Sequence, residues 1–468
     1  SMVLFMAPLR LPVLILPFNL TLILILYAMR QRVQDEAPRS VDVAVGSPEA
    51  NLAYYRTRVA RFGARYIARF ALPTAGKWTV TQGVDGEHTH RGLWRHACDL
   101  EVLDASGAKH KGTGERVEDY YAYRLPVLAI ADGTVVKIVN DVPDNLPGRH
   151  NPRDNWGNLV ILFHGAGLYS LVCHLAPGSV EVAEGMFVRK GARLGTCGNS
   201  GRSFVPHVHV HLQATPRVGS PTLPLEFHDV ILENETGLTA GIAASRSDGA
   251  RETSRRLDRV LVPTEGMTLR NVLPAEDIAE AVRIRVGTRL TFSLTSSDGS
   301  CRDEIIDARI DLMNRLYLSP RDATTEDTAS STRLYYENQD HQFIVYRHEG
   351  DRDSVTYLLY AALSRVPFED SEGLRWDDVL LAGTFRSPWT AWLHDLMDPF
   401  RPSDGLMLHY RQSVEDGLRV VTGEGSLENT AIRTRAVIDL QRGVVALELV
   451  HGDKVTTARL ISESRYEG

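Results

Sequence analysis

Apolar and polar positions alternate in short bursts over most of the chain. From Leu72 to about Val230, runs such as LPVLAIADGTVVKIV, GNLVILFHGAGLYSLVCHL and VPHVHVHLQA are bounded by Gly, Asp and Asn, the pattern of β-strands closed off by turns. Residues 234–275 are polar and rich in small side chains and read as a connection. Alternation returns in RLTFSL, IDARIDLMNRLYL, TRLYYENQDHQFIVY and LMLHYRQ. It continues in a closing series where Arg442-Gly443 and Gly452-Asp453 supply hairpin turns. SVTYLLYAALSRVPF and PWTAWLHDLMDPF instead carry helical spacing. The pattern predicts a mainly β protein. A first β domain covers 72–233, and an α+β domain on an antiparallel sheet with two or three helices covers 276–468.

The first seventy residues follow other rules. Leu11 to Met29 contains no charge, about the length that crosses a bilayer. A signal peptide would need a small-residue cleavage site that is not evident, and Pro12 and Pro17 would break a soluble helix early. Residues 1–30 are therefore expected to hold a transmembrane helix. Residues 31–50 read as a linker within the span 31–71. Arg56, Arg58, Arg61, Arg65 and Arg69 then alternate with Tyr55, Val59, Phe62, Tyr66 and Phe70. That is a basic amphipathic helix, suited either to anionic lipid or to packing on the next domain. LILPFNL resembles the Leu-Pro-Phe element of bacterial urea transporters, some of which carry a peptidase-like domain behind their last span. The resemblance raises the expectation that this chain is the tail of a longer membrane protein.

Composition narrows the class. The chain has 468 residues, 43% hydrophobic and 24% charged, which excludes wholesale disorder, collagen and coiled coil and suggests about three domains. A formal charge of −7 and a pI near 6.2 argue against a general nucleic-acid partner. The four cysteines, Cys98, Cys173, Cys197 and Cys301, have no CxxC spacing. Cys98 precedes Asp99 and Cys173 precedes His174, so on regular strands both thiols are expected to point away from those neighbours. Plain buried cysteine is the default reading, with a Cys173–Cys197 disulfide the alternative in an oxidising compartment.

Histidine is the informative count. Of 16, eleven fall between His88 and His228. His207, His209 and His211 share one face of a strand-like run. His88, His90, His96 and Asp99 lie upstream, and His174 stands alone in a His-Leu turn. Two histidines with one aspartate would give three N/O ligands and an open fourth position, the arrangement of a catalytic rather than a structural zinc.

The stretch from Gly76 to Gln213 resembles the lysostaphin-type (LytM) zinc metallopeptidases of bacterial cell walls. The resemblance rests on His174-Leu175, on Gly185, Gly191, Gly195, Gly198 and Gly201, and on Pro206 to His209. It extends to Pro126-Val127, to Asp132-Gly133-Thr134-Val135, and to Gly157-Asn158 with the apolar run to Leu162. It implies a small, mostly antiparallel β fold with a groove over a zinc ion, held by Asp99 and His209. His174 and His207 are then the catalytic histidines that do not bind metal, His207 as base and His174 as stabiliser of the oxyanion. For the first ligand, the common His-x-x-x-Asp spacing falls on Arg95. A longer-gap branch fits Thr89-His90-Arg91-Gly92…Ala97-Cys98-Asp99, which points to His90, with His96 and His88 as alternatives. His211 stands where the family often has Glu or Gln, and reads as a supporting or wall residue. His110, His150 and His164 read as structural.

The implied activity is a zinc-dependent endopeptidase acting on peptide cross-links of peptidoglycan. A non-catalytic regulator of wall hydrolases and a peptidase-like appendage of a transporter are the alternatives. Arginines follow the apolar segment, which by the positive-inside rule would leave the domain in the cytoplasm. The substrate argument outweighs this, so the expected location is the cell membrane with the catalytic domain periplasmic or extracellular.

Overall fold

A computed structural model describes residues 68–233, 255–321, 332–380, 406–427 and 429–465, together with Leu24 and Tyr66. The apolar stretch 11–29, the linker, most of the basic amphipathic segment and PWTAWLHDLMDPF at 388–400 lie outside the described residues. Among those described, no helix is long and apolar enough to cross a membrane.

The protein is mainly β. The first group of strands is β1 (Trp78–Gln82), β2 (Ala97–Glu101), β3 (Pro126–Leu128), β4 (Gly133–Val139), β5 (Asn158–Phe163), β6 (Tyr169–Leu175), β7 (Phe187–Val188), β8 (Arg193–Thr196) and β9 (Val208–Gln213). β9 lies between β2 and β6; β1 extends the sheet beyond β2, while β5, β4 and β7 extend it beyond β6. β3 and β8 form a separate two-stranded ribbon. The alternation read from the sequence divides β9 cleanly. Val208, Val210 and Leu212 join Cys98, Leu100 and Val172 in one apolar core, so His209, His211 and Gln213 face the other side.

The next strands are β10 (Thr222–Leu223), β11 (Val230–Leu232), β12 (Arg256–Asp258) and β13 (Thr268–Asn271). The last two lie in the stretch expected to be a connection. β13 pairs with both β1 and β11, and β11 pairs with β12. After helix α1 (Glu276–Val282) come β14 (Thr288–Thr295), β15 (Cys301–Ile310), β16 (Leu316–Pro320), β17 (Arg333–Asn338), β18 (Gln342–Glu349), helix α2 (Val355–Ala362), β19 (Arg365–Pro367), β20 (Arg375–Leu380), β21 (Leu406–Glu415), β22 (Leu418–Leu427), β23 (Thr430–Asp439), β24 (Gly443–His451) and β25 (Lys454–Arg465). β20 runs parallel to β12 and carries the hydrogen-bonded sheet into a long antiparallel series.

SVTYLLYAALSRVPF becomes helix only as far as Ala362, then strand β19. Pro367 disfavours helical backbone in the residue before it. All eight residues of α2 are buried, as its apolar character on every side requires, and they pack with Leu318, Tyr336, Phe343 and Leu449 in the second core. Where the two groups of strands meet, Asp229 receives Arg69, Arg365 and His341, and Arg270 bridges Glu233 and Glu369.

Candidate metal centre

Strand register builds the centre. Asp99 on β2 sits directly opposite His209 on β9, and His209 in turn opposite Cys173 on β6. Gln82 on β1 is the partner of Asp99 across a bulge. His90 arrives from the loop between β1 and β2, and Gln82 holds that loop. Its Oε1 accepts the backbone N–H groups of His88, Thr89 and His90 at 3.0, 2.8 and 3.4 Å, while its Nε2 donates to Asp99 Oδ2 at 2.8 Å. One amide thus ties the His90 loop to the Asp99 strand. His90, Asp99 and His209 are all buried, and one potential ligand atom from each lies within 4.8 Å of the others. His88 is exposed, and neither it nor His96 belongs to this group.

His174 reaches the same place by a different device. Cys173 pairs with His209 and so shares its face; a regular strand would send His174 to the opposite one. A bulge between Asn158 and Leu159 on β5 leaves His174 as the extra residue, at φ +64°. That left-handed backbone is costly for a non-glycine residue, and it turns the ring inward. The His174 ring centroid lies 4.7 Å from that of His207 and 5.9 Å from that of His209. The expectation that Cys173 points away is therefore corrected. Its thiol lies on the His209 face, against Leu159, Ile161 and Leu171, whereas Cys98 does point into the opposite core. All four cysteines are free thiols, so Cys173 and Cys197 form no disulfide.

Each imidazole is oriented by a hydrogen bond on its far side. His90 Nδ1 lies 2.9 Å from the Gly83 carbonyl, His174 Nδ1 2.8 Å from that of Ser200, and His207 Nδ1 2.9 Å from that of Val205. A carbonyl only accepts, so these Nδ1 atoms donate and each Nε2 is left to face the centre. Gly198 and Gly201 let the loop carrying Ser200 pack closely. A Cβ at Gly198 would stand 2.4 Å from Ala176 backbone, and one at Gly201 2.4 Å from Gly157 N. The indole of Trp156 packs edge-on against His209 and His211 at 5.6 and 5.4 Å.

The electrostatics call for a cation. Burial alone would raise the Asp99 carboxyl, but the imidazoles of His207, His209 and His90 outweigh it and hold the group well below its ordinary range, as a carboxylate. Burial, with the neighbouring His207 and His209, pushes His174 well below 6.5. Burial also lowers His209, and takes His211 to about 3. At His90 burial is outweighed by the Asp99 carboxylate, and its affinity for a proton rises. His90 Nε2 is buried, makes no hydrogen bond and stands 3.3 Å from Asp99 Oδ1. His209 Nδ1 stands 2.8 Å from the same oxygen. Such a site holds positive charge between its members, and a proton and a metal ion compete for it. The donor set, two imidazole nitrogens and a carboxylate, fits zinc.

Residues 109–221 match the model of Peptidase family M23, and the chain carries a domain of that family. The match includes His174, His207 and His209; His90 and Asp99 lie ahead of it and are joined to it through β2 and β9. The cell division protein DipM of Caulobacter vibrioides is 31% identical over 163 residues, 33% of this chain and 24% of that protein. An uncharacterized metalloprotease of Haemophilus influenzae is 31% identical over 112 residues, 24% of this chain and 20% of that one. The chain thus spans about a quarter or less of these relatives. Among solved structures, the catalytic domain of the prophage-encoded M23 protein EnpA from Enterococcus faecalis is similar at 16% identity and a TM-score of 0.24. That alignment covers 33% of this chain and 94% of that one.

Sequence reasoning named the histidines and the aspartate but passed over Gln82, Trp156, Ser200 and Gln213. Gln213 continues the two-residue period of 207, 209 and 211 and was within reach. Gln82, Trp156 and Ser200 meet the site only through pairings distant in sequence, with no local signal.

Proposed function

We propose that this domain is a zinc-dependent endopeptidase that hydrolyses peptide cross-links of bacterial peptidoglycan, with His90, Asp99 and His209 holding the metal. The observation that carries the reading is the convergence of His90 Nε2, buried and without a hydrogen bond, and of His209 Nδ1 on one carboxylate oxygen. Zinc held there supplies Lewis acidity, which polarises a carbonyl and lowers the pKa of water toward about 7.

The chain's own residues do the rest. His174, kept neutral by burial and tied at Nδ1 to Ser200, offers Nε2 as the acceptor of the attacking water's proton. It then passes that proton to the leaving amine nitrogen as the C–N bond breaks. His207, whose Nε2 lies 3.8 Å from Asp99 Oδ1, is then the group left to donate toward the developing oxyanion. This exchanges the roles expected from the sequence. The supporting observation is that burial disfavours positive charge on His174, so it serves better as a neutral proton acceptor than as an oxyanion donor.

A wall substrate requires the domain to face the periplasm or the cell exterior, with residues 11–29 as the membrane tether. Protease added to intact spheroplasts should then digest residues 31–468, and full protection until lysis would place the domain inside. The activity is tested by zinc content and wall-digestion products of wild type and His209→Ala. Stoichiometric zinc and released peptides are expected from the wild type and neither from the variant. Bound zinc with no digestion by wild type would favour the non-catalytic regulator.

A further inference from the structure

Behind His209 runs a file of hydrogen bonds with a fixed direction. Gln213 Nε2 donates to the carbonyls of Thr215 and Arg217 at 2.7 and 3.1 Å. Neither carbonyl can donate, so the amide has one orientation and its Oε1 must face His211 Nε2, 3.0 Å away. The turn that supplies those carbonyls is itself held, since Ser220 Oγ bonds both Thr215 Oγ1 and the Arg217 carbonyl. His211 Nε2 must then carry the proton that Gln213 accepts. His211 is fully buried, and a neutral imidazole with its proton on Nε2 has an acceptor at Nδ1. That acceptor lies 2.9 Å from His209 Nε2, which therefore donates. His209 Nδ1 is left facing Asp99 Oδ1, 2.8 Å away; the carboxylate only accepts, so without metal a proton on Nδ1 bridges the pair.

We infer that His211 and Gln213 are positioning residues that select the His209 tautomer able to bind metal through Nδ1. With Nε2 committed to His211, Nδ1 is the nitrogen that meets the carboxylate, and a metal ion binds there by displacing the bridging proton. Trp156, edge-on to both rings, keeps the imidazoles from turning out of line. The inference rests on the proposed ligand set of His90, Asp99 and His209, and it gives His211 a use that a glutamate in its place would also serve by accepting from His209.

The test measures zinc affinity and tautomer directly in the full chain. His211→Leu removes the acceptor at similar bulk and should weaken zinc binding, read by chelator competition, by about 10–100-fold. His211→Gln can accept from His209 through Oε1 and donate to Gln213 through Nε2, and should return affinity to within about threefold. A merely space-filling role would give the reverse order or none. Nitrogen NMR of the metal-free wild type, labelled at histidine, should show His209 protonated on Nε2; this reading needs no variant to fold. Wild-type zinc affinity in a folded His211→Leu, or a His209 Nε2 without a proton in the wild type, overturns the inference. Stoichiometric zinc in His209→Ala would instead remove the ligand set on which it rests.

Discussion

Around β9 the sheet turns Asp99, His209, His211 and Gln213 to one side, all buried and all polar. Around α2 the later strands turn Leu318, Tyr336, Phe343 and Leu449 inward against a helix buried at every position. Both are antiparallel stretches of one hydrogen-bonded sheet, yet the two enclosures are held by different physics. Apolar packing has no direction, so the helix core tolerates a lost methylene at a graded cost. The polar face is directional. Each of its groups depends on a partner placed elsewhere: Gln82 for the His90 loop, Ser200 for His174, Gln213 for His211. A sheet can therefore be stable without a site, but this site cannot form without its particular register.

The sharpest break in the comparison should come from Asp99→Asn. Removing the one carboxylate among the three donors is expected to abolish stoichiometric zinc and activity, measured by metal analysis and peptide release, while the fold of the strands around α2 persists. His174→Ala and His207→Ala should keep the metal and lose about 10²–10⁴-fold in turnover. Wild-type rates in either zinc-loaded variant would refute the proposed proton transfers.

The opposite dissociation should come from the helix. Leu359→Ala at a buried position of α2 should cost about 2–5 kcal/mol in denaturant unfolding and leave zinc affinity unchanged. A parallel loss of zinc binding would mean that the metal centre depends on the second core.

A smaller effect belongs to the junction. Burial would raise the Asp229 carboxyl, but the His341 hydrogen bond and the Arg365 and Arg69 charges outweigh it and bring it to about 2. Because the folded value lies below the ordinary 3.8, its contribution is present above about pH 4 and is lost as pH falls through about 2. Its size is on the order of 2 kcal/mol. Acid unfolding of Asp229→Asn should be flatter over that window than that of wild type, and identical acid limbs would remove Asp229 from the account.

Much of this was legible from residue order alone. The period-2 run of His207, His209 and His211, the hairpin turns at Gly443 and Gly452, and the apolar runs of β4, β5 and β6 bounded by turn residues are local signals. The grouping of Thr89-His90-Arg91-Gly92 with Asp99 was open to a resemblance in spacing. The strands at 256–258 and 268–271 escaped because they are three and four residues long, too short for a periodicity to show.

What the order of residues determined is which side chains can share a face: valines on one side of β9, imidazoles and an amide on the other. Tertiary structure alone decided which strand faces which, and so that Asp99 meets His209 across 110 positions. It also decided that His174 turns inward through a bulge rather than outward by period, and that Cys173, in regular register with His209, shares the inward side with it. The physical reason is that backbone periodicity is a property of one strand. A bulge and a register are properties of a pair, set by hydrogen bonds and buried neighbours that no single strand contains.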